Sequence, residues 1–242
     1  MKNSFQKNWS VSLILNCHNE GLLTAAAFRS LEAAASELLT MEIPVEIIIC
    51  ADKPNPITLE VAKTLTKSCR FRVQLLRVNF GDLSQSRNRS VRSARNSWVA
   101  FLDADDLWSF NWLKAAHLYL LNFDKPKQII LHPEIDVFFP DGYILSMPNQ
   151  EQLVDPLGTL LADNVWDSLS FAHRSIYLNH PYRENRLSHG FGYEDWAWNY
   201  ETVKAGFIHR IVPETCHFKR RRPQSLSERS KDLSVLVTPP LS

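Results

Sequence analysis

The first half of the chain alternates short, wholly apolar runs with longer amphipathic ones, and that rhythm restricts it to a parallel sheet covered by helices. VSLILN from Val11, VEIIICA from Val45, FRVQLLRVN from Phe71 and SWVAFLDAD from Ser97 have the length of strands. An apolar run without alternation is buried on both faces, as in a sheet whose crossover connections lay helices on either side. Leu22 to Leu39, Ile57 to Lys67 and Leu83 to Arg95 read as the connecting helices, and a fourth helix from Phe110 to Leu121 follows the last strand. Beyond Lys125 the rhythm breaks. QIILHPEIDVFF, the turn residues Asp141 and Gly142, and YILSM predict an antiparallel hairpin, with a helix near Leu153 to Leu161 after it. Gly190 to Gly192 reads as a loop, Glu194 to Ala205 as a helix, and Ile208 to Val212 as a short strand, ahead of the basic and polar stretch HFKRRRPQSLSERSK.

With 242 residues and no long linker or repeat, the sequence reads as one domain over 1–242. Its expected parts are 9–124, 125–216 and a basic segment, 217–242. Lys and Arg total 27 against 26 Asp and Glu, so no net field favours a polyanion, and a nucleic-acid partner is not expected. Neither the opening MKNSFQKNWS nor any later apolar run approaches the ~18 residues of a membrane span. Cys17, Cys50, Cys69 and Cys216 are scattered without metal-ligand spacing, as expected of reduced thiols in a cytoplasmic protein.

In an open parallel sheet, ligands bind beyond the carboxyl ends of the strands. Those ends carry Asn16, His18, Asn19 and Glu20 after the first strand and Asp52 after the second. Asn79 to Asp82 follow the third, and Asp103, Asp105 and Asp106 end the fourth. Three carboxylates within one turn repel one another, and a divalent cation with hard oxygen ligands relieves this while leaving positions for phosphate oxygens. Helix capping explains one such Asp but not three. A second acidic pair, Glu194-Asp195, follows a glycine-bearing loop and opens the aromatic helix YEDWAWNY. A purely structural reading, acids at a helix start, stands beside a functional one in which the loop closes on an acceptor and the aromatics stack on it.

VSLILNCHNE, Asp52, SQSRNRSVRSARNSWVAFLDADDLW and GFGYEDW, in that order, resemble glycosyltransferase family 2. The resemblance implies an α/β GT-A fold: a Rossmann-like, mostly parallel sheet flanked by helices, with a smaller mixed C-terminal part for the acceptor. It implies an inverting transferase that moves a sugar from a nucleotide-diphosphate-sugar donor to a saccharide or lipid-linked saccharide, with Mn2+ or Mg2+. By that resemblance Asp52 holds the nucleobase, Arg87 lies along the nucleotide pocket with Asn19 and Glu20 nearby, and Asp103 touches the ribose or donor sugar. Asp105 ligates the metal, and Asp195 is the general base, with Glu194 and Trp196 on the acceptor. His217 is a further candidate metal ligand. Arg220 and its neighbours read equally as a grip on the diphosphate, a solvated tail or a peripheral contact with anionic lipid. The sequence departs from the family where Asp-Gly-Ser is common, reading Asp52-Lys53-Pro54, and where Ser90 replaces a glycine.

Two other classes fit parts of the pattern. Asp103-Ala104-Asp105 is also similar to the aspartyl nucleophile of haloacid dehalogenase phosphatases, although that motif belongs on a first strand and here sits on the fourth. A non-catalytic nucleotide-sugar binding module would use the same strand ends without turnover.

Overall fold

The computed structural model describes residues 9–223 and 225–237. The opening residues 1–8, part of the stretch read above as having no apolar run of membrane-span length, lie outside the described residues, as do Gln224 in the basic run and residues 238–242. β1 (Val11–Cys17), β2 (Val45–Asp52), β3 (Arg72–Val78) and β4 (Trp98–Asp103) form the expected parallel layer, with β1 between β2 and β4. Every residue of β1 is buried, whereas the edge strand β3 alternates. The helices between them are α1 (Leu23–Leu39), α2 (Pro56–Ser68) and α3 (Leu83–Ser93). Local chemistry sets their starts: the Asn55 side chain accepts from Thr58 N ahead of Pro56, and the Asp82 side chain accepts from Gln85 N.

The second half extends the same sheet. β5 (Leu107–Trp108), α4 (Trp112–Leu120), β6 (Ile129–Phe139), β7 (Tyr143–Ser146), α5 (Pro156–Ala162), β8 (Phe171–His173) and α6 (Arg174–Asn179) lead to β9 (Phe191–Gly192), α7 (Glu194–Lys204) and β10 (Ile208–Arg220). α8 (Leu226–Asp232) and β11 (Leu236–Val237) complete the described chain. Strand order is β3-β2-β1-β4-β8-β6-β10-β5, with β7 hairpinned onto β6. β8 is antiparallel to both β4 and β6, joining the first-half layer to the parallel pair β6 and β10. The fold is thus mixed α/β, mostly parallel and flanked by helices.

Two expectations are corrected. The short strand at Ile208 to Val212 continues for 13 residues to Arg220, with a register shift between Val212 and Cys216. The boundary expected at 216/217 therefore falls inside a strand, and His217 to Arg220 belong to the sheet. The glycine loop contains the two-residue β9, which pairs in parallel with β11, so the end of the described chain returns to clamp it. The main core lies around β1, β2 and β4, and a smaller apolar cluster of Met147, Leu160, Trp166 and Ile211 sits under the second half.

Candidate active site

The carboxyl ends of β1, β2 and β4 open into a cleft of about 1070 Å³. Asn16, His18, Asn19, Glu20, Asp52, Arg87, Asp103, Asp105 and Asp106 line it from the first half. Glu194, Asp195, Arg220 and Arg222 meet them from the second. The strand-end residues from Asn16 to Asp106 share one cavity because parallel strands of one sheet end on one side, and the helix start at Glu194 and the basic run close it from the second half.

Asp52 shapes the cleft rather than facing it freely. Its Oδ1 accepts from the backbone N–H groups of Phe80 (2.8 Å) and Gly81 (2.9 Å), and its Oδ2 from Asp82 N (3.0 Å) and Ser86 Oγ (2.9 Å). Four donors occupy the lone pairs a carboxylate offers, so its charge is spent on folding the loop after β3. Gly81 suits that loop because its φ of +69° is a backbone conformation that residues with a side chain rarely adopt. Lys53, where the family commonly has glycine, also takes positive φ, 44°. Asn19 Oδ1 accepts from Asn55 N at 2.9 Å.

The crowded carboxylates diverge to three different cations. Asp103 meets Arg87 Nη2 at 3.1 Å, Asp105 meets Arg222 Nη2 at 2.6 Å, and Asp106 meets Lys219 Nζ at 3.3 Å while accepting from Arg220 N. Arg222 also reaches Glu20, at 3.4 Å. Burial pushes the Asp106 carboxyl up to about 7 against the pull of Lys219. Burial likewise raises Asp105; Arg222 opposes this, and Asp103 and Glu20 add to it. Arg222 holds Asp105 Oδ2 through both Nε and Nη2, while over the cleft walls as a whole carboxylates outnumber Lys and Arg. That donor set fits a hard divalent cation.

Arg87 is the hub. Helix α3 turns a face of Ser84, Ser86, Arg87 and Ser90 toward the sheet, and the small serines let the helix approach closely enough to bury the guanidinium fully. Nη2 pairs with Asp103 and Nη1 with Glu194 at 3.0 Å, while the ring of Tyr182 lies 5.3 Å away. One buried cation thus ties the fourth strand to the acidic pair. Ahead of that pair, Tyr193 occupies the left-handed region (φ 57°, ψ 56°), a sharp and costly turn for a residue with a side chain, and it aims Glu194 and Asp195 into the cleft. Burial raises the pKa of both acids. For Glu194 the neighbouring Asp195 adds to this, and Arg87 pulls both down.

Two predicted residues are not brought to the cleft. Trp196 turns its ring into the smaller apolar cluster, and its Nε1 donates to Leu160 O at 2.6 Å; Tyr193, Phe138 and Trp166 are the aromatics that line the cavity. His217 is fully buried and donates from Nδ1 to Asp167 Oδ2 at 3.1 Å. With Asp136 and Asp167, which line the cleft, it forms a group whose candidate ligand atoms lie within 4.8 Å of one another, separate from the Asp105–Arg222 pair. Lys219 Nζ stands 3.6 Å from Asp167, and burial, which alone would lower its pKa, is overcome by Asp106, Asp167 and Asp136. Asn164, Asp136 and Asp167 line the cavity without having been singled out in the sequence, and Lys219 of the basic run lines it with them. The one local signal was a charged residue interrupting an apolar run, Asp136 in EIDVFF.

Among the described residues no helix is long and apolar enough to cross a membrane. The fold is similar to Staphylococcus aureus TarS 1–349 in complex with UDP-GlcNAc, with a TM-score of 0.64 and 16% identity, covering 89% of this chain and 60% of that one. It is also similar to GalNAc-T7 with UDP, GalNAc and Mn2+, with a TM-score of 0.63 and 17% identity, covering 89% of this chain and 44% of that one. The chain therefore spans about 60% of the TarS fragment and less of the longer neighbour. A comparison with curated proteins returns no match. Residues 12–189 match the family described as Glycosyl transferase family 2, and they include Asp52, Arg87 and the Asp103 to Asp106 turn. With most of its length matched and the GT-A architecture around its cleft, the chain belongs to glycosyltransferase family 2.

Proposed function

We propose that the protein is an inverting glycosyltransferase that moves a sugar from a nucleotide-diphosphate-sugar donor to a saccharide or lipid-linked saccharide, in cell-surface polysaccharide or lipopolysaccharide synthesis. The observation that carries this reading is the opposition across one cavity of a base-bearing helix start, Glu194-Asp195, and a carboxylate turn, Asp103 to Asp106. A single displacement needs both: a proton acceptor for the incoming hydroxyl, and charge neutralisation for the departing diphosphate. Asp195, made more basic by burial, takes the proton from the acceptor hydroxyl as its oxygen attacks the anomeric carbon. Glu194, held by Arg87, contacts the acceptor, and Asp103 on the other arm of Arg87 contacts the ribose or donor sugar.

Asp52 and Gly81 form the base side of the pocket through the loop they organise, next to Asn19 and Glu20. When bound, Mn2+ or Mg2+ at Asp105 supplies the positive charge that neutralises the diphosphate. Arg220 and Arg222 face the same turn, so the basic run serves the leaving group in this reading rather than a lipid surface. The Asp136–Asp167–His217 group is the alternative seat for a cation. Four free thiols suit a cytoplasmic setting.

The test is release of nucleoside diphosphate from a panel of nucleotide sugars, with and without mixed saccharide acceptors, in Mn2+, Mg2+ or excess chelator. Acceptor-dependent release that the chelator abolishes is expected. Acceptor-independent binding without turnover would favour the binding module, and undiminished turnover in chelator would remove the metal.

A further inference from the structure

We propose that Asn164 is a positioning residue that holds the Asp195 carboxylate in one orientation, through an amide relay whose polarity is set by the backbone carbonyl of Trp166. The inference rests on Asp195 being the base. Asn199 lies one helical turn after Asp195 on α7 and is 1% exposed. Its Nδ2 faces Trp166 O at 3.3 Å and Asn164 Oδ1 at 2.9 Å. A carbonyl oxygen only accepts, so the Asn199 atom facing it must be the NH2 group. Its second proton then goes to Asn164, whose atom there must be the oxygen. The other end of Asn164 is therefore an NH2 group, and it donates to Asp195 Oδ2 at 3.2 Å. Neither amide can flip without setting donor against donor or acceptor against acceptor.

The loop that carries Asn164 is anchored from below. Trp166 is 2% exposed, donates from Nε1 to Pro148 O at 2.8 Å, and stacks on the His209 ring at 4.2 Å. Asn164 thus sits between a fixed helix and a fixed indole. With Oδ2 committed to it, the acceptor's proton falls to Oδ1. The donor also favours the ionised carboxylate, offsetting burial, which would hold the acid protonated. The other ionisable groups around Asp195 are Glu194 on its own helix, Arg87 from α3, Lys219 from β10 and the Tyr182 phenol. The backbone N–H groups of Trp196 and Asp195 also favour the ionised carboxylate, and Asn164 is the side-chain amide that donates at Oδ2.

The experiment compares pH profiles of kcat at saturating donor and acceptor for wild type, Asn164→Ala, Asn164→Asp and Asp195→Asn, with melting temperature as the folding control. Asn164→Ala is expected to lower kcat about tenfold or more, with donor KM within about twofold, and to move the acidic limb to higher pH. Asn164→Asp keeps the shape but sets a like charge against the base, so its limb should move about one unit further and activity should recover at alkaline pH. Wild-type kcat and limb in Asn164→Ala would overturn the inference. So would a lower kcat with a lower melting temperature and an unmoved limb in both Asn164 variants, since that describes a structural role only. An active Asp195→Asn enzyme would instead bring down the base assignment, whatever the Asn164 variants do.

Discussion

Replacing Arg87 with Met keeps most of the side-chain volume and removes the single charge that two acids share. Arg87 has no exposed side-chain surface, and its partners Asp103 and Glu194 are 20% and 5% exposed. Removing one partner of a buried ion pair strands the other and costs ~3–5 kcal/mol. At ~2–4 °C per kcal/mol for a domain of this size, the melting temperature should fall by ~6–20 °C. The loss must also depend on pH. In the wild type, burial and then Asp195 push Glu194 up while Arg87 pulls it down. Without Arg87 the folded pKa rises further above the ~4.3 of an unfolded Glu. Between those values the folded state keeps a proton that the unfolded chain has released, so stability falls as pH rises. The deficit of Arg87→Met should be smallest near pH 5 and largest near pH 8. Arg87→Lys should fall between, because one ammonium cannot span both carboxylates as a guanidinium does. Urea titrations at the two pH values provide the assay. A deficit below ~1 kcal/mol at pH 8, or one that is flat with pH, would refute a shared charge at this position.

Asp52→Asn should destabilise by ~2 kcal/mol or more and weaken donor binding, because an amide nitrogen must face two of the four donors that the carboxylate now accepts; urea unfolding and nucleotide titration check both. His117 on α4 is held down to about 4 by burial. The folded state therefore stays neutral while an unfolded His charges below ~6.5, and stability drops as pH falls through that interval. His117→Leu should flatten this acid limb, so that cooling of the melting temperature between pH 7 and pH 5 is smaller than in the wild type.

The layer built on β1, β2 and β4 was legible because strands buried on both faces are apolar without interruption. Their carboxyl ends were legible for a topological reason, since parallel strands in one sheet end on one side. The second half obeyed neither rule. β8 is three residues long, too short for any period to register, and it owes its place to pairing with β4 and β6 rather than to its own sequence. Trp196 was misplaced by adjacency: consecutive helical residues point about 100° apart, so a side chain next to Asp195 in sequence leaves the face that Asp195 uses.

β10 is the sharper case, because its sequence argued against what it does. Lys219 and Arg220, and the two arginines after them, read equally as a grip on the diphosphate, a solvated tail or a lipid contact, and not as part of a strand, since a cation in a buried strand is ordinarily too costly to keep. Here that cost is offset across the cavity. Lys219 faces Asp106 and Asp167, and Arg222 faces Asp105 and Glu20, which come from the turn after β4, the loop before β8 and the loop after β1. Each of those acids, taken alone, is as implausible in a buried place as the lysine. Their legitimacy lies in pairs separated by more than 50 residues in most cases, which no window along the chain can display. A basic run in a near-neutral chain is therefore best read against the unexplained acids elsewhere: a carboxylate-rich set of strand ends implies cations from a distant segment, and the only dense basic run in this sequence was the segment that supplied them.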